Sequence, residues 1–438
     1  MLGFIYKYTA KKFIPALLLC CLYTKYPDAK PIFALMQFSD IIAQANAKLQ
    51  LAELVQHNRL SHALLFLGKE GSGALSLAMA FGQYIVCDTV NGKKKAAPSL
   101  FGGGEPVTPM AVTTNDSCGV CPSCSKAQKF VHPDIHFSYP VVPKKSGDKP
   151  LSTDYVTEWR EFIQQTPYGN VFDWLQFVGA ENKQGNITVH ECNDIIHKLS
   201  LKSFESGYKI LIMWMPEYLG NAGNKLLKLI EEPPPDTLFI LVAENESQIL
   251  PTILSRCQLV KIPGLTTSEV ASALTERANM NADKALQVAS ISEGNYREAL
   301  QLIQHAEEDW QDLLREWLNA TLKGGPLAQV KWIEEIGKLG REKQKQFLRY
   351  FNHLLEQSVR LKSMGPDSPQ ARNMPEKERD FAIRLNKLAD INQQQAIIEE
   401  LDKAAYYIER NAHGKMLFHA LTIKLLHIIA DKSLLLVN

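Results

Sequence analysis

Charge of one sign is what this sequence lacks. Its 48 Lys and Arg are matched by 47 Asp and Glu, so no net field steers the whole chain onto nucleic acid or a membrane surface. Any contact with nucleic acid must then be local or made through partners. A bilayer-spanning run is missing too. A crossing helix needs about 20 apolar residues, and the apolar stretch from Phe13 to Leu22, behind Lys7, Lys11 and Lys12, falls short of that. No small-x-small cleavage site follows it, and Leu17, Leu18 and Leu19 before Cys20 make a poor lipoprotein site. No repeat with a period of 20–50 residues is apparent, which argues against a solenoid or propeller. Cysteine is sparse, with eight in 438 residues.

What the chain does have is enough apolar residues, 45% of the total, to bury a sizeable core. Its length suits about three domains at roughly 150 residues each. A helix-and-strand pattern begins directly after Met36. We therefore expect the native chain to start at Met36, with 1–35 a non-native or disordered extension.

Ser39 and Asp40 are placed to cap a helix over Ile41 to His57, whose apolar positions Ile42, Ala45, Leu49, Ala52 and Val55 lie near the helical period. Ala63 to Leu67 reads as a buried strand, Gly68 to Gly73 as a glycine-rich turn, and a helix opens at about Ala74. Strand, glycine turn and helix make the first unit of a doubly wound α/β domain. Residues 88–117, with Lys93-Lys94-Lys95 and Gly102-Gly103-Gly104, read as a flexible insertion. Ile135 to Val142 is a candidate strand, and Ile187-Thr188-Val189 leads into a helix carrying Cys192, Ile195, Ile196 and Leu199. The apolar run Lys209 to Met215 suits a central parallel strand. A helix over Asn224 to Glu232 is stopped by Pro233-Pro234-Pro235, and Thr237 to Val242 is the next strand. After Ile262-Pro263-Gly264 the pattern turns helical to the end, opening on a capping box at Thr266 and Glu269. Phe347, Phe351, Leu354 and Leu355 form an amphipathic stripe, and Met364 to Pro375 reads as an inter-helix loop.

The glycine turn has the frame of a phosphate-binding loop, Gly68-Lys69-Glu70-Gly71-Ser72-Gly73-Ala74-Leu75. Such loops place a Lys and then a Ser or Thr after the second glycine, the first for phosphate charge and the second for Mg²⁺. Here those positions hold Ala74 and Leu75, and Glu70 adds a negative charge. The acidic motif that should close the central strand is replaced by Trp214 and Met215, with Glu217 two residues late, after Pro216. Both framing glycines without their chemistry point to a degenerate phosphate loop. The duller reading is a glycine turn in an unrelated α/β enzyme.

Cys118, Cys121 and Cys124 form a C-x2-C-x2-C run. In a chain this large it reads as metal ligation rather than a disulfide framework, which favours a reducing compartment, the cytoplasm. A closed tetrahedral site needs a fourth ligand, and Cys87, His132 and His136 are the candidates. Lys126 and Lys129 are too few cations for a nucleic-acid footprint.

From Met36 to near its end the sequence resembles the delta-prime subunits of bacterial DNA polymerase III clamp loaders. The resemblance rests on Ser61-His62-Ala63-Leu64-Leu65-Phe66, on Asn224 through Pro234, on Ser255-Arg256-Cys257, and on Trp214-Met215-Pro216 where the ATPase subunits keep Asp-Glu. It implies an α/β plus all-α protein, in which an AAA+ P-loop-like doubly wound parallel sheet carries an inserted zinc module, a helical lid and a C-terminal helical collar. We place the core at 36–263 with the zinc module at 87–124, the lid at 264–325 and the collar at 326–438. The leading 35 residues and the 88–117 insertion depart from the family pattern.

The resemblance further implies that Cys87 completes a structural Zn²⁺ site with Cys118, Cys121 and Cys124. It implies that Arg256 of the Ser255-Arg256-Cys257 motif reaches in trans into a neighbour's ATP site as an arginine finger, with no catalytic residue in cis and no ATP hydrolysis. Arg297, in Gly294-Asn295-Tyr296-Arg297, resembles the lid arginine that senses γ-phosphate in active relatives. With Ala74 and Leu75 in the loop, we expect a structural ion pair or a vestige there instead. The implied role is DNA replication in a hetero-oligomer with the loader's ATPase subunits and delta subunit, reaching the sliding clamp and primed DNA through the complex, without a membrane. Two rivals remain. An active ATPase subunit of the same loader is opposed by Ala74, Leu75, Trp214 and Met215, and a stand-alone zinc-containing DNA-binding protein by the balanced charge.

Overall fold

The computed structural model describes residues 37–91, 115–145, 147–180, 183–304, 310–365, 376–409 and 412–430. The expected 1–35 extension, most of the 88–117 insertion and most of the 364–375 loop lie outside these residues. The described chain forms two compact units, one ending at Gln301 and the other beginning at Leu302.

The first unit is built on five parallel strands in the order β2-β3-β4-β1-β5. They are β1 (Ala63–Gly68), β2 (Ile135–Ser138), β3 (Lys209–Trp214), β4 (Thr237–Ala243) and β5 (Gln258–Ile262). Side chains alternate across a strand, and here both sets are apolar. Leu64, Phe66, Ile210, Ile212, Ile240 and Val242 face one core, while Ala63, Leu65, Leu211, Met213, Phe239 and Leu241 face the other. Burial on both faces is why these strands read as continuous apolar runs. The doubly wound, P-loop-like sheet expected from the sequence is therefore present.

The helices of this unit are α1 (Ala45–Gln56), α2 (Ala74–Val86), α3 (Pro122–Gln128), α4 (Val156–Gln165), α5 (Val171–Phe177), α6 (Val189–Ser200), α7 (Leu227–Glu231), α8 (Pro251–Leu254), α9 (Thr267–Ala278), α10 (Ala282–Ile291) and α11 (Tyr296–Gln304). Every residue of α2 is buried, so it is the central helix under the sheet. Cys192, Ile195 and Leu199 of α6 pack into the second core, as expected.

Three local expectations are corrected. The first helix starts at Ala45, not Ile41, because Ala43 and Gln44 take left-handed backbone. There the buried Gln44 side chain donates to the carbonyls of Ser72 and Pro263, and this tertiary hold overrides the local cap. The helix expected over 224–232 is a 3-10 segment, Pro216–Leu226, followed by the five-residue α7. The strand expected over 135–142 ends at Ser138. The Thr266–Glu269 capping box forms as read, with Thr266 N donating to Glu269 Oε2 at 2.8 Å and Glu269 N to Thr266 Oγ1 at 3.2 Å.

The second unit holds α12 (Trp310–Leu322), α13 (Gly325–Ile336), α14 (Arg341–Met364), α15 (Glu376–Leu388), α16 (Ile391–Glu409) and α17 (Gly414–Ala430). Phe347, Phe351, Leu354 and Leu355 are buried along α14. Trp317 stacks on Trp332 at 4.9 Å between centroids and donates Nε1–H to Thr422 Oγ1 at 2.9 Å. Among the described residues no strand follows Ile262, and no helix is long and apolar enough to cross a membrane.

Candidate functional site

β1 ends at Gly68 and α2 opens at Ala74, so the turn between them has the phosphate-loop setting. Gly71 has a φ of +73°, a region that L side chains rarely adopt. At the positions where a lysine and a hydroxyl would serve phosphate and Mg²⁺, Ala74 and Leu75 are buried in the apolar core. Their side chains are packing, not vacancies. The space left beside the loop is ≈ 30 Å³, lined by Gly68 to Gly71, Tyr168, Trp214, Met215 and Glu244 among others.

The chain fills the rest itself. Tyr168 covers the loop so closely that a Cβ on Gly73 would lie 2.8 Å from its ring. Its hydroxyl accepts from Ile42 N at 3.1 Å, and its ring meets Tyr296 edge-on at 5.0 Å. Glu70 turns toward the start of α11. Its carboxylate accepts from Arg297 Nη1 at 3.0 Å, from Asn170 Nδ2 at 3.0 Å and from Asn295 Nδ2 at 3.1 Å. Arg297 is only 4% exposed and also grips both oxygens of Asp173, through Nε and through Nη2 at 2.6 Å. The structural ion pair expected for Arg297 is thus present.

At the end of β3, Trp214 lies among aromatic rings, 5.3 Å from Trp159 and 6.2 Å from Phe162 between centroids. Its place in the sheet is that of a metal-binding carboxylate, but its environment is core. Met215 takes left-handed backbone, φ 59° and ψ 62°. Glu217 Oε1 accepts from Glu244 N at 2.7 Å and Asn245 N at 2.9 Å, stitching the ends of β3 and β4 together. Burial pushes its carboxyl above the usual range. Glu217 does not line the cavity.

The four cysteines expected to form one site do come together. The Sγ atoms of Cys87, Cys118, Cys121 and Cys124 all lie within 4.8 Å of one another. Cys87 is the C-cap of α2, and Cys121 is the N-cap of α3, with Pro122 at the first helical position. Backbone N–H groups of Cys118, Cys121 and Cys124 point at the sulfurs of Cys87, Cys118 and Cys121, each at 3.4 Å. Such donors favour thiolates. Zn–S bonds of about 2.3 Å in a tetrahedron set sulfurs near 3.8 Å, roughly, and Cys118 and Cys124 are 3.9 Å apart. A hydrogen bond with Cys124 pulls the Cys87 thiol down to about 4, and the same contact drives the Cys124 thiol up. A bound cation would favour the ionised form of all four sulfurs. The donor set fits a metal ion. His132 and His136 are outside it. His132 is buried and its Nδ1 accepts from Asp134 N at 3.2 Å, and His136 lies on β2.

Arg256 sits between α8 and β5 with its side chain 32% exposed. Its Nε donates to Glu231 Oε1 at 2.7 Å and its Nη1 to Thr252 O at 2.6 Å. Ser255 Oγ, 3.1 Å away, accepts from the same Nη1. Cys257 is half-buried against the second core, and burial raises its thiol to about 11.

A family model described as DNA polymerase III, delta subunit, matches residues 110–266. The chain is 26% identical to the DNA polymerase III subunit delta' of Bacillus subtilis over 253 residues, 58% of this chain and 57% of that protein. It is 25% identical to the delta' of Escherichia coli over 312 residues, 71% and 73% of the two chains. The chain resembles the clamp-loader delta-prime subunits. It is also 23% identical to subunit tau of Bacillus subtilis over 333 residues, 74% of this chain and 47% of tau. The chain spans about half the length of the Bacillus relatives it matches. Among solved structures, a gamma subunit-related protein from Thermotoga maritima aligns with 86% of this chain and 99% of its own, at 14% identity and a TM-score of 0.34.

In this delta-prime-like chain the sequence reading located the empty loop but not its internal occupants. Tyr168 and Asn170 lie between α4 and α5, and Asp173 lies in the first turn of α5. One signal was legible. Asn170 and Asp173 have capping-box spacing, and the box forms at the start of α5. It places the Asp173 carboxylate at a helix end, but nothing in the spacing names Arg297, 124 residues on.

Proposed function

We propose that this chain is a non-hydrolysing subunit of a DNA polymerase III clamp loader, one that supports its neighbours' ATP turnover without binding ATP productively itself. The observation that carries this reading is the burial of Ala74 and Leu75 in the core beneath an intact glycine frame. A loop with no lysine and no hydroxyl at these two positions lacks the groups that hold phosphate and Mg²⁺ for chemistry. In this reading residues 264–325 serve as lid and 326–438 as the collar through which subunits assemble. The partners are the loader's ATPase subunits and delta, with the sliding clamp and primed DNA reached through the complex, in the cytoplasm.

Arg256 is the residue proposed to act in trans. Its guanidinium lies at the surface, held by one exposed carboxylate, a backbone carbonyl and the Ser255 hydroxyl. An exposed pair of this kind is worth about 0–1 kcal/mol, so a neighbour's γ-phosphate can take the guanidinium over. There it would stabilise charge on the transferring phosphoryl group. Cys87, Cys118, Cys121 and Cys124 would hold Zn²⁺. Four thiolates leave no open position, so the ion supplies a cross-link and no reaction centre.

Two measurements test this. Titration calorimetry of the isolated chain with MgATP should show no binding. In a reconstituted loader, Arg256→Ala should depress ATP turnover while the complex still assembles. Unchanged turnover would remove the trans role.

A further inference from the structure

We infer that Glu70 is a built-in anionic occupant of the phosphate loop. With Asp173 it takes the groups that a polyphosphate would otherwise engage, and it fastens the start of α11 onto the loop in one fixed arrangement. This rests on the reading that the chain does not use nucleotide at this site.

The geometry is specific. Glu70 lies between the framing glycines, yet its carboxylate points at the lid-like helices rather than at solvent. It receives Arg297, Asn295 and Asn170, three donors from two separate segments. Asn295 is the residue just before α11, and Tyr296 N reaches the Gly71 carbonyl at 3.4 Å. The approach is close enough that a Cβ on Gly71 would fall 2.0 Å from Asn295 Oδ1. Helix N-termini carry positive partial charge, so this end of α11 also favours an anion. A guanidinium that is 4% exposed needs a counter-ion in place. In an ATPase a ligand can supply that negative charge. Here two side chains of the same chain supply it permanently, and the loop–helix contact is independent of any ligand.

The test is hydrogen exchange on the full chain, read at the amides of residues 296–301, with β3 and β4 as the internal control. The double variant Glu70→Ala/Asp173→Asn removes both charges and keeps an acceptor at the α5 cap. Its exchange at 296–301 should quicken at least tenfold while β3 and β4 are unchanged. Millimolar inorganic pyrophosphate should then restore protection, and potassium chloride of equal ionic strength should not. If the double variant also loses protection in β3 and β4, Glu70→Gln/Asp173→Asn decides. It keeps the volume of both side chains, and it should still quicken exchange at 296–301 alone. Unchanged exchange at 296–301 overturns the inference. Faster exchange that pyrophosphate fails to restore reduces Glu70 to an ordinary ion-pair partner and also overturns it. Binding of MgATP by the unaltered chain would instead overturn the proposed function beneath it, an outcome visible in a separate titration.

Discussion

Arg256 and Glu231 face each other across the surface between α7 and α8, the guanidinium holding one carboxylate oxygen through Nε at 2.7 Å and through Nη2. The pair answers a puzzle in the sequence. Glu231 and Glu232 end a helix, where a carboxylate opposes the helix dipole. A cation 25 residues later in the chain relieves it.

This pair should separate stability from assembly function. Glu231→Ala should change folding stability by less than about 1 kcal/mol, as for exposed ion pairs, by urea denaturation. In a reconstituted loader it should alter ATP turnover, because the arginine loses its resting partner. If Glu231→Ala and Arg256→Ala both leave turnover at the unaltered rate, the surface has no part in catalysis.

Metal content is the second expectation. Purified protein should carry one zinc per chain by elemental analysis, and Cys121→Ser should lower both metal content and thermal stability. Metal binding requires thiolates, so acid should displace the ion as the sulfurs take up protons. Release should therefore increase as pH falls, and a chelator should act faster at low pH.

Trp214 sets a limit on re-engineering. Restoring Ala74→Lys, Leu75→Thr and Trp214→Asp should not yield an ATPase. Trp214 is 3% exposed among aromatic rings, and removing a large buried ring costs about 3–5 kcal/mol before any charge is buried. Urea denaturation of Trp214→Asp alone should show a loss of at least that size.

Glu191 gives a pH-dependent expectation. It is 1% exposed, its Oε2 accepts from Ser152 N at 2.8 Å, and burial holds its carboxyl above the ordinary range. A raised folded-state value means stability is fullest below the unfolded value, about 4.3, and is lost as pH rises through the folded value. Glu191→Gln has no such titration. The variant should therefore gain on the unaltered protein as pH rises above about 4.3, read as a growing difference in Tm.

Much of the fold was legible because its strands are buried on both faces. Lys209 to Trp214 and Thr237 to Ala243 announce themselves as uninterrupted apolar runs. The four cysteines were legible from spacing and resemblance together, since residue types with one chemistry are few. The start of the first helix was not, because Gln44 is set by carbonyls 28 and 219 residues away. The internal occupants of the loop were hidden for the same reason as the helix start. Ion pairs between distant segments leave no period and no motif.

The cysteine cluster has a consequence for how this chain tolerates change. An ion shared by Cys87 and Cys118 would turn the stretch between them into a closed ring of chain, whatever its conformation. The entropy of closing such a ring grows only with the logarithm of its length, about 0.6 kcal/mol for each doubling. Residues can be added to that stretch at little thermodynamic expense, provided Cys87 at the end of α2 and Cys118 ahead of α3 stay in place. Length polymorphism should therefore collect in this one interval, while α2 and the segment from Cys118 into α3 stay fixed.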